Sequence, residues 1–135
     1  MAKEAGTGWS TLSVDDSGGS ARAIVNDITS VTISTPRGVQ ETTGMDKTAF
    51  ERVLLLADAQ ITLEGVFNDA SNLSHAVFAT TSSTSVARTV TAVVSGQTLA
   101  NEMFPIDYNL TRAATGELTW SVPLVLAGGV VPTWS

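Results

Sequence analysis

The sequence contains no cysteine, which excludes disulfide bonds, thiolate nucleophiles and cysteine-ligated zinc. It contains a single histidine, His75, and a catalytic histidine would need an orienting partner and a nucleophile that no triad pattern provides. We interpret His75 as a polar position on a helix. The sequence therefore predicts a protein that is not an enzyme and that needs no metal and no cofactor.

Charge is also scarce, because charged residues make up only 15 % of the chain and the net charge is −6. The 7 lysines and arginines are scattered, which argues against a protein that holds nucleic acid through its phosphates. We interpret the arginines as partners of neighbouring acids. No apolar run approaches the length of a membrane span and no secretory h-region is present, so we expect synthesis in the cytosol and no membrane partner.

Two acidic pairs are the remaining candidates for ligand binding. Asp15 and Asp16 could form half of a cation site, but their spacing fits no calcium loop and a turn with solvated carboxylates is favoured. Glu41 and Asp46 are likewise better explained by a solvated loop than by paired catalytic acids. Neither pair predicts a site.

The C-terminal half shows the clearest alternation of apolar and polar residues. Apolar side chains occupy every second position from Phe104 to Leu110 and again from Leu118 to Leu126, which predicts two half-buried antiparallel strands. Trp120 falls on the inward face of the second strand. The connection between the strands contains Gly116, as tight turns often do, so the two strands are predicted to form a hairpin.

Further strands are predicted from alternation and from β-branched residues, over residues 10–14, 28–34, 60–67 and 86–95. Between Ser71 and Thr80 apolar residues recur at helical spacing, with Ser71 or Asp69 as the N-cap, which predicts one amphipathic helix across a sheet.

Thr48 to Glu51 has the pattern of a capping box in front of the apolar run at residues 53–57. A short helix and an extended segment both remain open for this run. The segment from Ser34 to Glu51 as a whole is too long for an ordinary hairpin connection and reads as a long polar loop. Loops of this length in compact domains are usually functional or disordered.

These elements predict a single mainly β domain over residues 1–135, an antiparallel β-sandwich or flattened barrel flanked by one α-helix. Pro105 and Pro123 favour edge or irregular strand positions, and exposed edges invite pairing with other chains. A weakly charged surface, free edges and a long loop together predict a subunit that assembles with copies of itself. Head-to-tail contacts of that kind close into rings or continue into filaments.

Most of the chain resembles the major tail proteins, or tail tube proteins, of long non-contractile-tailed bacteriophages. The resemblance is carried by LSVDDSGGSARAIVNDITSVTI (12–33), GVQETTGMDKTAFERVLLLADAQITLEGVFND (38–69), SHAVF (74–78) and DYNLTRAATGELTWSVPLVLAGGVVPTW (107–134). Its specific cues are the TTG-x-D loop before an apolar stretch, GVFND before the helix, and the TRA…G…W…P pattern of the terminal hairpin.

The resemblance implies six copies in a ring, and rings stacked into a hollow tube through which DNA leaves the capsid without specific binding. The long loop and an N-terminal arm at residues 1–9 would bridge one ring to the next. The loop residues implied in this contact are Arg37, Gly38, Val39, Gln40, Glu41, Thr42, Thr43, Gly44, Met45, Asp46 and Lys47.

An acidic or neutral bore would let DNA slide, because a basic bore would hold its phosphates. Glu64, Glu102 and Asp107, which are expected on polar strand faces, are the candidates for lumen-facing carboxylates. The resemblance also implies a location in the virion tail tube after synthesis in the bacterial cytoplasm, with the tape measure, tail terminator and baseplate or tip proteins as partners.

Two other functions remain open from the sequence. Another virion protein, such as a capsid decoration protein, would trimerise on shells rather than polymerise along an axis. A soluble β-sandwich binding module would use Trp9 or Trp134 to stack on sugars, whereas Trp120 is better explained as a core residue.

Overall fold

The computed structural model describes residues 3–135, so the first two positions of the expected N-terminal arm lie outside the described residues. Its elements in chain order are β1 (Trp9–Asp15), β2 (Ala21–Ala23), a 3₁₀ turn (Val25–Asp27), β3 (Ile28–Ser34), β4 (Arg37–Glu41), β5 (Arg52–Ala57), β6 (Gln60–Val66), α1 (Ser74–Phe78), β7 (Arg88–Val94), β8 (Gln97–Pro105), β9 (Asn109–Arg112) and β10 (Leu118–Leu126).

Eight of these strands form one antiparallel sheet in the order β2-β1-β7-β8-β10-β6-β3, with β9 also paired to β10. Strands β4 and β5 form a separate two-stranded sheet. The predicted mainly β antiparallel fold with one helix is therefore confirmed. The large sheet is open rather than a closed barrel, since β3 pairs with β6 and with no other strand of the described chain.

The core lies on one face of the large sheet, where alternate residues of the central strands point inward. On β6, Ile61 and Leu63 are buried, and on β10 the same is true of Trp120, Val122 and Leu124. Trp120 is a core residue, as predicted, and its indole N–H donates a hydrogen bond of 2.9 Å to the carbonyl oxygen of Val66. Burying the ring without this bond would leave an unpaired donor, which is costly in a dry interior.

Gly65 allows the backbone of β6 to approach its neighbours closely. A Cβ at this position would lie 2.1 Å from the carbonyl oxygen of Asp27 and 2.7 Å from a ring carbon of Trp120. Neither contact is compatible with a side chain, so the packing of Trp120 against β6 requires glycine.

The helix is shorter than predicted, running over Ser74–Phe78 instead of from Ser71 to Thr80. Neither Ser71 nor Asp69 caps it. The carboxylate of Asp27 accepts hydrogen bonds from the backbone N–H of Ser74 (3.1 Å) and from the side-chain amide of Asn68 (2.9 Å). Because Asp27 is 47 residues earlier in the chain, no local pattern identifies it as the acceptor at the start of the helix.

The predicted strand from Phe104 to Leu110 is wrong, because β8 ends at Pro105 and β9 begins at Asn109. Both strands lie along the same edge of β10, and the register shifts by one residue between Pro105 and Asn109. The N–H of Ile106 still bonds the carbonyl oxygen of Pro123 at 3.1 Å, which continues the pairing of Pro105 with Leu124, and the chain bulges before β9 begins. Ile106 is 59 % exposed rather than inward-facing because it shares the face of Phe104, which is 40 % exposed.

The other strand predictions agree with the structure to within about two residues at each end. The β9–β10 hairpin is confirmed, with Gly116 at a φ of 104° in its turn, a backbone conformation that favours glycine. In the large sheet two strand segments were missed. These are the short edge strand β2 and the segment of β8 before Phe104, whose burial alternates but whose residues Ala100, Asn101 and Glu102 are not typical of a strand.

Candidate functional site: a projecting hairpin and an acidic sheet face

The segment predicted as a long loop is largely a β-hairpin. Val39 pairs with Leu54, Gln40 with Val53 and Glu41 with Arg52, so the apolar run at residues 53–57 is extended, not helical. The hairpin is joined to the body at the directly opposed pair Ser34 and Gln60, which ends β3 and begins β6. The β4–β5 pair therefore extends the β3–β6 pair beyond the large sheet.

Of the eleven loop residues named from the sequence, Arg37 to Glu41 form β4 and the remaining six, Thr42 to Lys47, lie at the hairpin tip. All are exposed except Thr43, which is partly buried. The tip is ordered by its own contacts. The N–H of Glu51 bonds the hydroxyl of Thr43 at 2.9 Å, and the ammonium of Lys47 lies 3.6 Å from the carboxylate of Glu51.

A β-bulge interrupts the pairing between Arg37 and Val39. At this bulge the Arg37 guanidinium donates two hydrogen bonds, of 3.0 and 2.8 Å, to the carbonyl oxygen of Leu55 on β5. A two-stranded hairpin is marginally stable alone in water, so this clamp and the continuity with the body help to preform it.

The most unusual property of the hairpin is the exposure of its aliphatic side chains. Leu54 is 60 % exposed and Leu56 is 91 % exposed, while Val39 on the facing strand is 53 % exposed. A groove of about 630 Å³ lies between the base of β5 and Val131. The sequence interpretation concentrated on the polar residues of this segment and left β5 open between a short helix and an extended segment. It drew no functional conclusion from the run of four consecutive aliphatic residues, which was the available signal.

Two of the three candidate carboxylates share the outward face of the large sheet. Glu64 on β6 is opposite Ser121 of β10, and Phe104 on β8 is opposite Val125 of β10. Alternate residues of a strand share a face, so Ser121 and Val125, four residues apart on β10, lie on one face together with their partners Glu64 and Phe104. Glu102, two residues before Phe104 on β8, lies on the same face. Both glutamates are exposed, and the hydroxyl of Thr89 donates a hydrogen bond to the carboxylate of Glu102.

The rest of this face is uncharged or acidic. Among the described strand residues that share it by register, none is lysine or arginine, and serine and threonine are the commonest. The third carboxylate departs from expectation, since Asp107 lies in the connection between β8 and β9 and not on a strand face. The bulge between Pro105 and Asn109 places it there.

The arginine interpretation is correct for Arg22 and wrong for Arg88. Arg22 lies 2.9 Å from the carboxylate of Asp16. Arg88 is only 1 % exposed and donates hydrogen bonds to the carbonyl oxygen of Val77 and, at 2.8 Å, to the hydroxyl of Thr80. Burial lowers the pKa of the Arg88 guanidinium. The Arg88 side chain thus ties the end of the helix to β7, which is a structural role.

The remaining polar groups also have structural explanations. Both oxygens of the Asp16 carboxylate are occupied, one by the N–H groups of Gly18 and Ser20 and the other by Arg22, as expected of a turn. His75 lies 3.2 Å from the Tyr108 hydroxyl, and burial raises the pKa of that tyrosine. Within residues 3–135 no cluster of three or more potential metal ligands occurs, and no helix is long and apolar enough to cross a membrane.

No protein-family model matches the sequence, and no curated protein matches it. Solved structures, in contrast, share the fold over nearly the whole chain. A chain from the virion of a native gene transfer agent particle has a TM-score of 0.73 at 15 % identity and covers 97 % of this chain and 99 % of its own. A chain from the tail of an empty gene transfer agent particle, refined with helical C6 symmetry, has a TM-score of 0.73 at 17 % identity and 98 % coverage of both.

A chain from the six-fold symmetrised baseplate of the anti-feeding prophage has a TM-score of 0.68 at 9 % identity and covers 100 % of this chain and 97 % of its own. At such identities the likeness shows the fold. The chain thus has the same fold as subunits of phage-type virion, tail and baseplate particles, over essentially their full length.

Proposed function

We propose that this protein is the repeating subunit of a phage-type tail tube, a structural protein of the virion with no catalytic role. The observation that carries the proposal is the preformed hairpin with exposed aliphatic residues, of which Leu56 is 91 % exposed. Apolar patches on a soluble protein mark interaction sites. Support comes from the fold shared with tail and baseplate subunits taken from assemblies with six-fold symmetry.

In this proposal six copies close into a ring and rings stack into a tube. The hairpin, including the tip from Thr42 to Lys47, is the contact between one ring and the next, because it extends beyond the large sheet from the end of β3. A contact between two different surfaces of identical subunits repeats indefinitely when it is not closed by symmetry. This head-to-tail geometry suits axial growth.

The outward face of the large sheet then lines the bore, with Glu64 and Glu102 directed toward the lumen and Asp107 near its margin. Duplex DNA carries about one negative charge per 1.7 Å of axis, so a face with carboxylates and without lysine or arginine would not retain it. DNA would pass through without specific binding. The further partners are a tape measure, a terminator and a baseplate or tip protein, and the subunit would be made in the bacterial cytoplasm.

The test is electron microscopy of purified protein at high concentration, for which we expect rings and hollow tubes. Residues 36–58 are then replaced by a short Gly-rich turn. Since Ser34 and Gln60 are directly paired, such a turn closes β3 onto β6 without disturbing their register. We expect this variant to unfold cooperatively near the wild-type temperature and to form no tubes.

The matched control is an equivalent turn replacement between β9 and β10, at residues 114–116, which should leave tube formation intact. Tubes formed by the hairpin-less variant would contradict the axial role of the hairpin. A wild-type protein that remains monomeric at all concentrations, or that forms only closed trimers, would contradict the tube proposal and favour a binding module or a capsid decoration protein.

A further inference from the structure

The large sheet has a gap between its two ends that suits an added strand. A groove of about 390 Å³ lies between β1 and the first half of β3. Its lining side chains are uncharged; they are Trp9, Leu12, Val25, Ile28, Thr29, Ser30 and Val31. Half-buried Trp9, Val25, Ile28 and Val31 are thus packed against the core on one side and open to the groove on the other.

Both walls of this groove are strand edges without a partner in the described chain. β3 pairs on one side only, with β6. β1 pairs with β2 only from Ser13 to Asp15, and the next contact on that edge is a hydrogen bond of 3.1 Å from Ile24 to the carbonyl oxygen of Leu12. Unpaired strand edges are templates for pairing with another chain.

The same chain carries two strands that complement such edges. Among residues 3–135, β4 and β5 pair only with each other, so each keeps a free edge, and the exposed side chains of β5 include Leu54 and Leu56. These side chains are apolar, as are five of the groove residues (Trp9, Leu12, Val25, Ile28 and Val31), whereas Thr29 and Ser30 add polar groups to the groove. Donor and acceptor are therefore matched in their free backbone edges and in the apolar part of their side chains.

The hairpin is badly placed to fill the groove of its own subunit. The groove borders β3 between Ile28 and Val31, whereas the hairpin leaves β3 beyond Ser34 and continues away from it. Donor and acceptor thus lie toward opposite ends of one strand. An arrangement of this kind favours contact between successive copies along the strand direction.

We propose that the β1–β3 groove receives the β4–β5 hairpin of a second copy of this chain, with β5 adding to the free edge of β3. The inference rests on the proposed function and specifies the acceptor for the hairpin. Insertion would bury Leu54 and Leu56 of one subunit against Trp9 and Val31 of the next. It would also leave a free hairpin at one end of every stack and a free groove at the other.

The absence of cysteine permits a clean cross-linking test. One variant carries Leu56→Cys, at an exposed position on the hairpin, and a second carries Val31→Cys, at a half-buried position that lines the groove. The control is Ala100→Cys, an exposed position on β8 near the middle of the large sheet. Variants are mixed in pairs under conditions of assembly, oxidised, and separated on a non-reducing gel.

We expect a disulfide-linked dimer from the mixture of Leu56→Cys with Val31→Cys, and loss of that dimer when Ala100→Cys replaces Val31→Cys. Tubes that form without the 31–56 cross-link, or with an equal 56–100 cross-link, would overturn the groove as acceptor and leave the proposed function intact. Failure of the wild-type protein to assemble at all would overturn the proposed function, and the inference with it.

A double variant with Val31→Cys and Leu56→Cys in one chain gives a separate check. At high dilution it should remain reduced, since the hairpin points away from its own groove. An intramolecular disulfide in the monomer would show that the hairpin folds back onto its own subunit, and would overturn the proposal.

Discussion

Strands β5 and β6 follow one another in the chain with two residues between them, and both are rich in aliphatic side chains. On β6, Ile61 and Leu63 are 2 % and 0 % exposed. On β5, Leu54 and Leu56 are 60 % and 91 % exposed. The residue types are the same, so the difference lies in what surrounds each strand. In the part of the chain that the structure describes, β6 is flanked by β3 and β10, and β5 only by β4.

This comparison separates two uses of the hydrophobic effect in one chain. Burying a leucine fully is worth about 1.5–3 kcal/mol. On β6 that free energy stabilises the fold of the subunit, while on β5 it remains available for association. Substitutions in the body should therefore affect the free energy of unfolding, and substitutions in the hairpin should affect assembly.

The largest expected contrast is between Trp120→Ala and Leu56→Ala. Trp120 is 2 % exposed, and its truncation should lower the free energy of unfolding by about 3–5 kcal/mol through loss of burial and creation of a cavity. Leu56→Ala should change it by less than about 0.5 kcal/mol, as at other exposed positions. Denaturant unfolding of the unassembled proteins measures both. A Leu56→Ala loss comparable to that of Trp120→Ala would show that the hairpin packs on its own subunit.

A smaller contrast is expected between Gly65→Ala and Gly38→Ala. In the body, a methyl group at position 65 meets the backbone oxygen of Asp27 at 2.1 Å, so overpacking should cost about 1–3 kcal/mol or more. In the hairpin, a methyl group at position 38 meets the end of the Leu55 side chain at 3.2 Å, and that side chain can rotate away toward solvent. Thermal unfolding should show a lowered melting temperature for Gly65→Ala and little change for Gly38→Ala.

The smallest expected effect concerns charge in the turn between β1 and β2. Hydrogen bonds from the N–H of Ser20 and from Arg22 lower the pKa of Asp16 below its usual value of 3.8. A carboxyl group with a depressed folded-state pKa stabilises the fold above its unfolded pKa, and the contribution is lost as pH falls through the folded value. Asp16→Asn should therefore be slightly less stable than wild type at neutral pH.

The difference between wild type and Asp16→Asn should shrink as the solution is acidified below about pH 4. The hairpin supplies the control in Asp46→Asn, since that carboxylate is 80 % exposed and lies 3.8 Å from the ammonium of Lys47. Exposed pairs of this kind contribute little. A stability difference for Asp16→Asn that stays constant from neutral to strongly acidic pH would contradict the attribution of that difference to the lowered pKa of Asp16.

The predictions from sequence succeeded where the information was local. Alternation located most strands of the large sheet, and the inward face of β10 was assigned correctly at Trp120. They failed where a distant residue decided the outcome. The helix begins at Ser74 because Asp27 accepts its first N–H, and the residues around Ser71 carry no sign of this.

The hairpin illustrates the same limit at the candidate site. Glycine, threonine and charged residues between Ser34 and Glu51 favour a loop, and only pairing with Leu54 and Val53 across the turn makes Val39 and Gln40 a strand. The placement of the candidate carboxylates on one face likewise depends on the strand registers. Glu64 and Glu102 are 38 positions apart, and the alignment of β6 and β8 on β10 places them on one face.

By itself, the sequence determined the chemical class of this protein: a cysteine-free, weakly charged chain whose period-two alternation specifies half-buried antiparallel strands. These properties depend on composition and on neighbours one or two residues away. The tertiary structure alone decided which aliphatic strand is buried, which glycine has no room for a side chain beside Trp120, and where two strand edges remain unpaired. Those outcomes depend on hydrogen bonds and packing between residues tens of positions apart, whose partners no local pattern encodes.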